Sequence, residues 1–583
     1  MLQLLRNVDS PLLLTAAAVR LVERVMIDER GVPGIVLMKH AGRALFTRVL
    51  ARGARTVSVF CGSGNNAGDG YVVAGLAQLA GLNVRALQVG AAHKLPEDAA
   101  TALAWARAAG VLVADWDIDS DSEQARFVAA SDVIVDALLG TGFVAPLRAQ
   151  YVAAIQAINR ASAQRSASLQ APAGPMVIAA DMPSGLLVDT GAAAEVVVRA
   201  DETVTFIACK PGLLTGRGPE FCGQIHLAAL AVPDALCWRI AGEAGGDGGD
   251  ASAEAGARET DESQTPGASD VQQHAPIARV FWRAEQAVAR RRRDAHKGDS
   301  GHVLVLGGAP GMGGAVMLTS EAALRCGAGL VSVGCAEAHA PALLARRPEV
   351  MVRGITLDAG VANARPSDDS LSEVLAKLLR RATVLAIGPG LGQDEFGQAL
   401  LRSALSAQLP IVLDADALNL MAGGFAAWPN DAVITPHPAE AARILGVSTP
   451  EVQQDRMAAA LALCKRTGAV VVLKGAGTVI CDGRRLRICT DGNPGMAVAG
   501  MGDVLTGVIA AQRAQGVGAF EAAVHGVCAH ARAGDLAIAD GERGLLASDL
   551  LPWLRRLSNG RGRGEAEGEG EGEGDGEGEG NGA

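Results

Sequence analysis

Aromatic residues are scarce in this chain: Phe, Trp and Tyr make up 3% of 583 residues, and only two are tyrosines. That scarcity excludes the aromatic platforms on which single-stranded nucleic acids stack. A basic field is missing as well. The formal net charge is −11, but eight acidic residues lie between Glu565 and Gly580 and eight more, against one arginine, between Glu243 and Asp270. Without those stretches the remainder carries about +4, too little for a nucleic-acid-binding face. The ten cysteines include no Cys-x-x-Cys spacing. This argues against a structural zinc site and a secreted disulfide framework, and points to a reducing cytoplasm. No apolar run reaches the ~20 residues of a membrane span. Arg6, Asp9, Arg20, Glu23 and Arg24 give the N-terminus the pattern of an amphipathic helix, not of a signal peptide.

What is present is apolar and small. Apolar residues form 49% of the chain, which is too long for one core. Composition breaks it into a first block at 1–240, a linker at 241–275, a second block at 276–558 and a tail at 559–583. The linker is Gly, Ala, Glu, Asp and Ser, and the tail ends in a Glu-Gly repeat; neither buries enough surface to offset its ordering entropy. The linker predicts independent motion of the two blocks.

Both blocks alternate β-branched runs with alanine-rich helical stretches. The first predicts strands at 56–60, 83–89, 133–135, 176–178 and 202–206, with helices at 70–80 and 99–109 between them. The second predicts strands at 302–306, 330–333, 384–387, 410–413, 432–434 and 470–473. Continuous apolar strands separated by helices imply the α/β class: two three-layer αβα domains, each with a parallel sheet covered on both faces. Ligands in such sheets bind beyond the C-terminal strand ends.

In the first block those ends carry polar, glycine-rich turns: Cys61-Gly-Ser-Gly-Asn65-Asn66-Ala67-Gly68-Asp69-Gly70, then Asp136-Ala-Leu-Leu-Gly140-Thr141-Gly142-Phe143-Val144-Ala145-Pro146, then Asp181-Met-Pro-Ser184-Gly185. Glycines let backbone approach a phosphate, and a helix read from Gly70 offers its N-terminus. Three such turns at one edge point to a small-molecule site. Asp181 also reads as an Asx-turn and Asp136 as a strand-end cap.

Together with Lys210-Pro-Gly-Leu-Leu-Thr-Gly216, these turns resemble the NAD(P)H-hydrate epimerase domain, over roughly residues 12–233. The resemblance implies a Rossmann-like fold. It implies substrate contacts from Asn65, Asn66, Ala67, Gly68 and Asp69, from Gly140, Thr141, Gly142, Phe143, Val144, Ala145 and Pro146, and from Asp181. It also implies a potassium ion held by Asn66, Asp136 and Ser184, with Asp181 moving protons as the hydrated nicotinamide carbon inverts. One departure is Lys39-His40, where the family more often has Glu-Asn. That helix is expected beside the site, with His40 a partly exposed helix residue.

The second block is denser in motifs. His296-Lys-Gly-Asp-Ser-Gly301 leads into its first strand and Gly307-Gly-Ala-Pro-Gly-Met-Gly-Gly-Ala315 follows it. Then come Gly388-Pro-Gly-Leu-Gly392, Asp414-Ala-Asp416, Thr435-Pro-His437-Pro-Ala-Glu440, Lys474-Gly475-Ala476-Gly477-Thr478 and Asn493-Pro-Gly-Met-Ala-Val-Ala-Gly-Met-Gly502-Asp503. Asp503 lies beside bare backbone, ahead of a helix read from Val504. There it can take a proton from a hydroxyl while helix-start N–H groups hold the charge on a transferred phosphate; the alternative is an N-cap. Lys474 follows an apolar strand and precedes glycines, so charge and bare backbone can face phosphates. Glu440 either caps a helix or orients magnesium through water. Asp414 and Asp416 read as structural or metal-supporting and not as catalytic.

In set and order these motifs resemble the ADP- or ATP-dependent NAD(P)H-hydrate dehydratase, a ribokinase-like fold, over about 275–557. The resemblance implies that Ala315, Gly392, His437 and Asp503 contact the hydrated nucleotide. Lys474, Gly475, Ala476, Gly477, Thr478 and Gly502 would contact ADP, which enters with Mg²⁺. The function implied is repair of hydrated NADH and NADPH: epimerisation of the R and S forms, then ADP-dependent dehydration of the S form. Expected partners are these small molecules, with no nucleic acid and no membrane, in a cytoplasmic homo-oligomer. Two rivals stay open. One is an ordinary small-molecule kinase with a regulatory first block; the other is a scaffold whose first domain has lost catalysis, against which the intact Asn66, Asp136, Asp181 and Ser184 weigh.

Overall fold

The computed structural model describes residues 12–117, 122–166, 174–245, 278–281, 291–356 and 369–559. The expected tail beyond Asn559, most of the expected linker, and Arg6 and Asp9 lie outside the described residues. The chain forms two compact units, each from two stretches: Met1–Arg283 with Pro436–Thr490, and Ala284–Thr435 with Asp491–Ala583.

The first unit holds a seven-stranded parallel sheet. Its strands are Thr56–Cys61 (β1), Asn83–Gln88 (β2), Leu112–Asp115 (β3), Val133–Ala137 (β4), Met176–Ala180 (β5), Glu202–Phe206 (β6) and Gln224–Ala228 (β7), in the order β3-β2-β1-β4-β5-β6-β7. Side chains alternate between faces along a strand. Val57, Val59, Val133 and Val135 therefore enter one core and Phe60 and Ile134 the other. Helices Ala16–Arg24, Gly34–Ala51, Asn65–Leu79, Glu97–Ala108 and Asp234–Gly245 close the first core. Glu123–Ala129 and Ala149–Ser166 close the second. These are the three layers expected. The last helix of the first core runs to residue 245, past the expected linker start, because Ile240 and Ala241 are buried there.

The second unit holds Lys-poor, apolar strands: His302–Leu306 (β9), Leu330–Ala336 (β10), Met351–Ile355 (β11), Val384–Ile387 (β12), Ile411–Leu413 (β13) and Ala432–Ile434 (β14), all parallel, in the order β11-β10-β9-β12-β13-β14. Ala278–Phe281 (β8) belongs to the first unit, with Val470–Leu473 (β15), Thr478–Cys481 (β16) and Leu486–Cys489 (β17). Here the expectation of a purely parallel sheet fails. β15 with β16 and β16 with β17 are antiparallel, and only β17 with β8 is parallel. The turns between them are too short for the dozen or so residues a parallel crossover needs. Strands β3, β7, β8, β11, β16 and β17 were absent from the sequence expectation. They are short, and several carry Arg or exposed positions, so their apolar signal is weak.

One buried charge organises the first sheet. Glu202 opens β6 and is fully buried. Its carboxylate accepts from Arg48 Nε at 2.7 Å and Arg52 Nε at 2.6 Å, and His226 Nε2 lies 3.0 Å away. Burial pushes its pKa up, but the bonds from His226, Arg48 and Arg52 outweigh that and hold it well below the usual carboxylate range. A depressed pKa adds stability above the unfolded-state value and loses it as pH falls through the folded value. Glu202→Gln is expected to lower neutral-pH stability by about 2 kcal/mol, since both arginines keep some access to water. The gap to wild type should close in strong acid, measured by urea melts across pH.

Candidate active sites

The helix after β1 begins at Asn65, with Gly64 as its N-cap, five residues earlier than the expected start at Gly70. Residues 65–69 are thus its first turn, not a loop. Asn66, Ala67, Gly68 and Asp69 are buried and Asn65 is exposed. Gly68 admits Met38 from the neighbouring helix; an added Cβ would stand 2.4 Å from its Sδ. That helix, Gly34–Ala51, carries exposed His40 as expected.

Asp181 follows β5 with φ +65°, a left-handed conformation uncommon outside glycine. It is not an Asx-turn, because its carboxylate reaches the end of β6. Its Oδ1 accepts from Thr205 Oγ1 at 3.2 Å and from the Phe206 N–H at 3.1 Å, and it is ion-paired with Lys210. Lys210 is 0% exposed; its Nζ also donates to Thr205 Oγ1 at 2.9 Å and the Phe206 carbonyl at 2.8 Å. Burial raises the pKa of Asp69 well above its ordinary value, and the charges of Asp181 and Glu23 add to this against Lys210. Burial also raises that of Glu23, from the helix Ala16–Arg24. One buried ammonium thus serves several carboxyls, and burial favours the protonated form of Asp69.

Beside this pair lies an oxygen-rich cluster. Asp136, at the end of β4, is fully buried. It accepts from Ser184 Oγ at 2.7 Å, the Ser184 N–H at 2.8 Å and the Leu138 N–H at 3.2 Å. It therefore does cap backbone, as a strand-end Asp can, yet all these partners are neutral. Burial pushes its pKa up to about 6 against those hydrogen bonds. Asn66 Nδ2 donates to the Leu139 carbonyl at 3.1 Å and the Ala180 carbonyl at 3.3 Å, and Ser184 Oγ accepts from the Leu139 N–H at 3.0 Å. Asn66, Asp136 and Ser184 are thus brought together around Leu139. Gly140 abuts Asn66, since a Cβ there would lie 3.2 Å from Asn66 Cβ. Thr141 and Phe143 are half-buried, while Gly142, Val144, Ala145 and Pro146 are exposed.

In the second unit the helix Met501–Ala514 starts three residues before the expected Val504, capped by Gly500 at φ +90°. Asp503 is therefore its third residue and not its N-cap. The first N–H groups of a helix have no acceptor within it, so the end formed by Met501, Gly502 and Asp503 favours an anion. Thr319 Oγ1 contacts both the Ala315 and the Asp503 carbonyl at 3.0 Å, tying the two predicted residues together. Ala315 also meets the glycine turn after β12, where a Cβ on Gly390 would stand 3.2 Å from its own Cβ. Asp416 pins that turn by accepting from the Gly392 N–H at 3.0 Å, and Asp414 accepts from Thr506 Oγ1 at 3.0 Å. Both carboxylates thus hold neighbouring groups of the fold.

The first unit carries the other two motifs. His437 caps the helix Pro438–Leu445, and Glu440 completes the box by accepting from the His437 N–H at 2.7 Å. Of the two roles open for Glu440, this geometry is the cap. Residues 474–477 form the turn from β15 to β16, with Lys474 half-buried, Gly475 and Ala476 exposed and Thr478 Oγ1 donating to the Gly475 carbonyl at 2.9 Å. Behind this turn lies Arg456, 2% exposed. It donates to the carbonyls of Leu473 at 3.1 Å and Lys474 at 3.2 Å and to Thr215 Oγ1 at 3.1 Å, and Thr215 donates to the Gly477 carbonyl at 3.1 Å. The run 210–216 of the first block is therefore fastened to the turn 474–478 of the second, contrary to the independence expected of them. Gly477 permits the approach, because a Cβ there would fall 2.0 Å from the Leu214 carbonyl oxygen.

Known protein families match both halves of the chain. The family described as NAD(P)H-hydrate dehydratase matches residues 303–556, and that described as YjeF-related protein N-terminus matches 34–212. The "Bifunctional NAD(P)H-hydrate repair enzyme Nnr" of Escherichia coli K12 is 40% identical over 93% of this chain and 93% of its own length. The Coxiella burnetii protein of the same name is 39% identical over 93% of this chain and 98% of its own. The chain belongs to the bifunctional NAD(P)H-hydrate repair enzyme family. Among solved structures, the Bacillus subtilis ADP/ATP-dependent NAD(P)H-hydrate dehydratase co-crystallized with ATP/Mg²⁺ is 29% identical, covering 48% of this chain and 98% of that one, with a TM-score of 0.42.

For a member of this family, the sequence reading left four residues without a role. Lys210 stood in a quoted motif, but nothing local marks a lysine as fully buried. Glu23 sits in an ordinary amphipathic helix, and Thr319 and Arg456 in ordinary alanine-rich ones. Their partners lie far along the chain: Arg456 and Thr215 are 241 residues apart.

Proposed function

We propose that this protein repairs hydrated NADH and NADPH in two steps. Residues 1–240 interconvert the R and S epimers, and residues 276–558 dehydrate the S form with ADP or ATP. The observation that carries the first step is the Asp181–Lys210 pair beside the buried Asp69, whose protonated form burial favours. The hydrated carbon bears a hydroxyl next to the ring nitrogen. Asp69 donates its proton to that hydroxyl, the C–O bond breaks, and the nitrogen lone pair forms the C=N bond. Water returns from the opposite face and gives its proton to Asp181, whose charge Lys210 balances. A carboxyl whose protonated form is favoured by burial, next to one paired with an ammonium, suits such an exchange.

The cluster of Asn66, Asp136 and Ser184 fits a potassium ion. Its donors are carboxylate, hydroxyl, amide and nearby carbonyl oxygens, and Asp136 has only neutral partners. Potassium bound there supplies the positive charge that this carboxylate lacks. A carboxyl with a raised folded pKa adds stability below its unfolded value and loses it as pH rises through the folded one. Without potassium, stability should therefore fall between pH 3.8 and about 6, by on the order of 3 kcal/mol. Potassium should restore most of it, and Asp136→Asn should remove both the pH dependence and the potassium effect. Thermal melts in potassium and in a bulky organic cation test this; identical curves would remove the ion from the site.

In the dehydratase, Asp503 takes the proton from the substrate hydroxyl, whose oxygen attacks the terminal phosphorus of the nucleotide. With ADP, AMP leaves. The ring nitrogen then expels phosphate, a far better leaving group than hydroxide, and loss of the neighbouring C–H proton restores the reduced nicotinamide. The N–H groups of residues 501–503 stabilise the phosphoryl charge. Lys474, Gly475, Ala476, Gly477, Thr478 and Gly502 hold the nucleotide, and Ala315, Gly392 and His437 hold the substrate. Magnesium supplies charge screening when it enters on the nucleotide. No group of three or more His, Cys, Asp or Glu side chains among the described residues could hold a metal ion, which suits an ion carried by phosphate oxygens.

The deciding assay supplies hydrated NADH, ADP and Mg²⁺ and follows the returning absorbance of reduced nicotinamide. A stable phosphorylated product would favour the ordinary kinase, and no turnover of either epimer the scaffold. The ten cysteines are all buried free thiols, and no described helix is long and apolar enough to cross a membrane. Both suit a cytoplasmic enzyme, which we place there as a homo-oligomer.

A further inference from the structure

We infer that the cavity beyond β2 and β3 seats the adenosine half of the hydrated coenzyme during epimerisation. This rests on the epimerase reading and extends it to a part of the substrate that none of the predicted residues addresses. Strand order reverses between β1 and β4, and a dinucleotide bound at such a switch point spans both sides. Asp136 lies at the end of β4, and residues 140–146 and Asp181 follow β4 and β5, so the nicotinamide half occupies that side. The opposite side, at the ends of β2 and β3, holds a cavity of about 610 Å³ lined by Gln88, Gly90, His93, Asp115, Trp116 and Gln150, among others. That volume suits a nucleoside.

The cavity adjoins the glycine turn ahead of Asn65. Gln88 Nε2 donates to the Gly62 carbonyl at 2.8 Å, and Ser63 Oγ lies 2.9 Å from Tyr151 Oη. A Cβ built on Gly90 would stand 3.4 Å from that Tyr151 hydroxyl and 3.7 Å from Ser63 Oγ. A diphosphate lying across the turn at the helix N-terminus would therefore deliver its second nucleoside here. The lining matches that ligand. Trp116 lines the cavity with a flat aromatic ring and packs edge-on against Phe60, ring centroids 5.0 Å apart. Asp115 is an exposed carboxylate suited to ribose hydroxyls, and His93 and Gln150 are exposed polar groups.

The test compares hydrated NADH with hydrated nicotinamide mononucleotide, which lacks adenosine, in the full-length protein without ADP. Ala91 lines the cavity and is half-buried, so Ala91→Trp fills it; Gln150→Ala, at an exposed position, guards against misfolding. For the dinucleotide, KM should rise roughly tenfold in Ala91→Trp and less in Gln150→Ala, with kcat nearly unchanged. For the mononucleotide, neither variant should differ from wild type. Unchanged KM for the dinucleotide overturns the inference, as does equal damage to both substrates. If adenosine monophosphate binds there while both substrates share one wild-type KM, the cavity serves a separate nucleotide effector and the inference also falls. Wild-type protein that epimerises neither substrate would sink the epimerase reading itself.

Discussion

Asp503→Asn is expected to cut dehydration by about 10²–10⁴ while epimerisation continues at the wild-type rate. Asparagine keeps the shape of the side chain but cannot accept the hydroxyl proton. The surrounding structure should survive. Thr319 holds residue 503 through its main-chain carbonyl, and Gly500 caps the helix without help from the Asp503 side chain. Removing a carboxylate from a helix first turn costs only about 0.3–1 kcal/mol. A fall in rate with an unchanged melting temperature therefore isolates the chemistry. Asp503→Glu should recover part of the rate. An Asn variant that dehydrates near-normally would take the base role away from this residue.

Asp181→Asn should lower epimerisation by about 10²–10⁴ and spare dehydration of the S form, so that the R form persists in a mixed substrate. A second effect accompanies it. Lys210 is fully buried and loses its ion-pair partner, which should destabilise the protein by about 3–5 kcal/mol. Pairing Asp181→Asn with Lys210→Met removes both charges, and should recover much of the stability without recovering epimerisation. If the double variant regains activity, the Asp181 carboxylate is not a proton carrier. Asp69 adds a pH signature: its raised pKa keeps the donating proton in place, so epimerisation should decline as pH rises through that value.

Much of both sites was legible as local chemistry. Asn66, Asp136 and Ser184 each stand in a polar, glycine-rich run at a strand end; the structure bonds Asp136 to Ser184, and bonds Ser184 and Asn66 to the backbone of Leu139. Helix starts were less legible. Asn65 and Met501 begin their helices several residues before the expected points, because a glycine at the preceding position ends the loop and the polar residues after it are tolerated in a first turn. The hairpins β15–β16–β17 were hidden for another reason: short apolar runs look the same whether their neighbours pair parallel or antiparallel.

The α/β class, the alternation of strands into two cores and the glycine turns at strand ends were written in the chain itself, since backbone periodicity and side-chain size act over a few residues. The desolvation that favours a protonated Asp69, the burial of Lys210 against Asp181, and the grip of Arg456 on Thr215 and the Lys474 carbonyl belong to the tertiary structure alone. Desolvation and long-range Coulomb interactions depend on what surrounds a group from every side, and those surroundings come from segments up to 241 residues away.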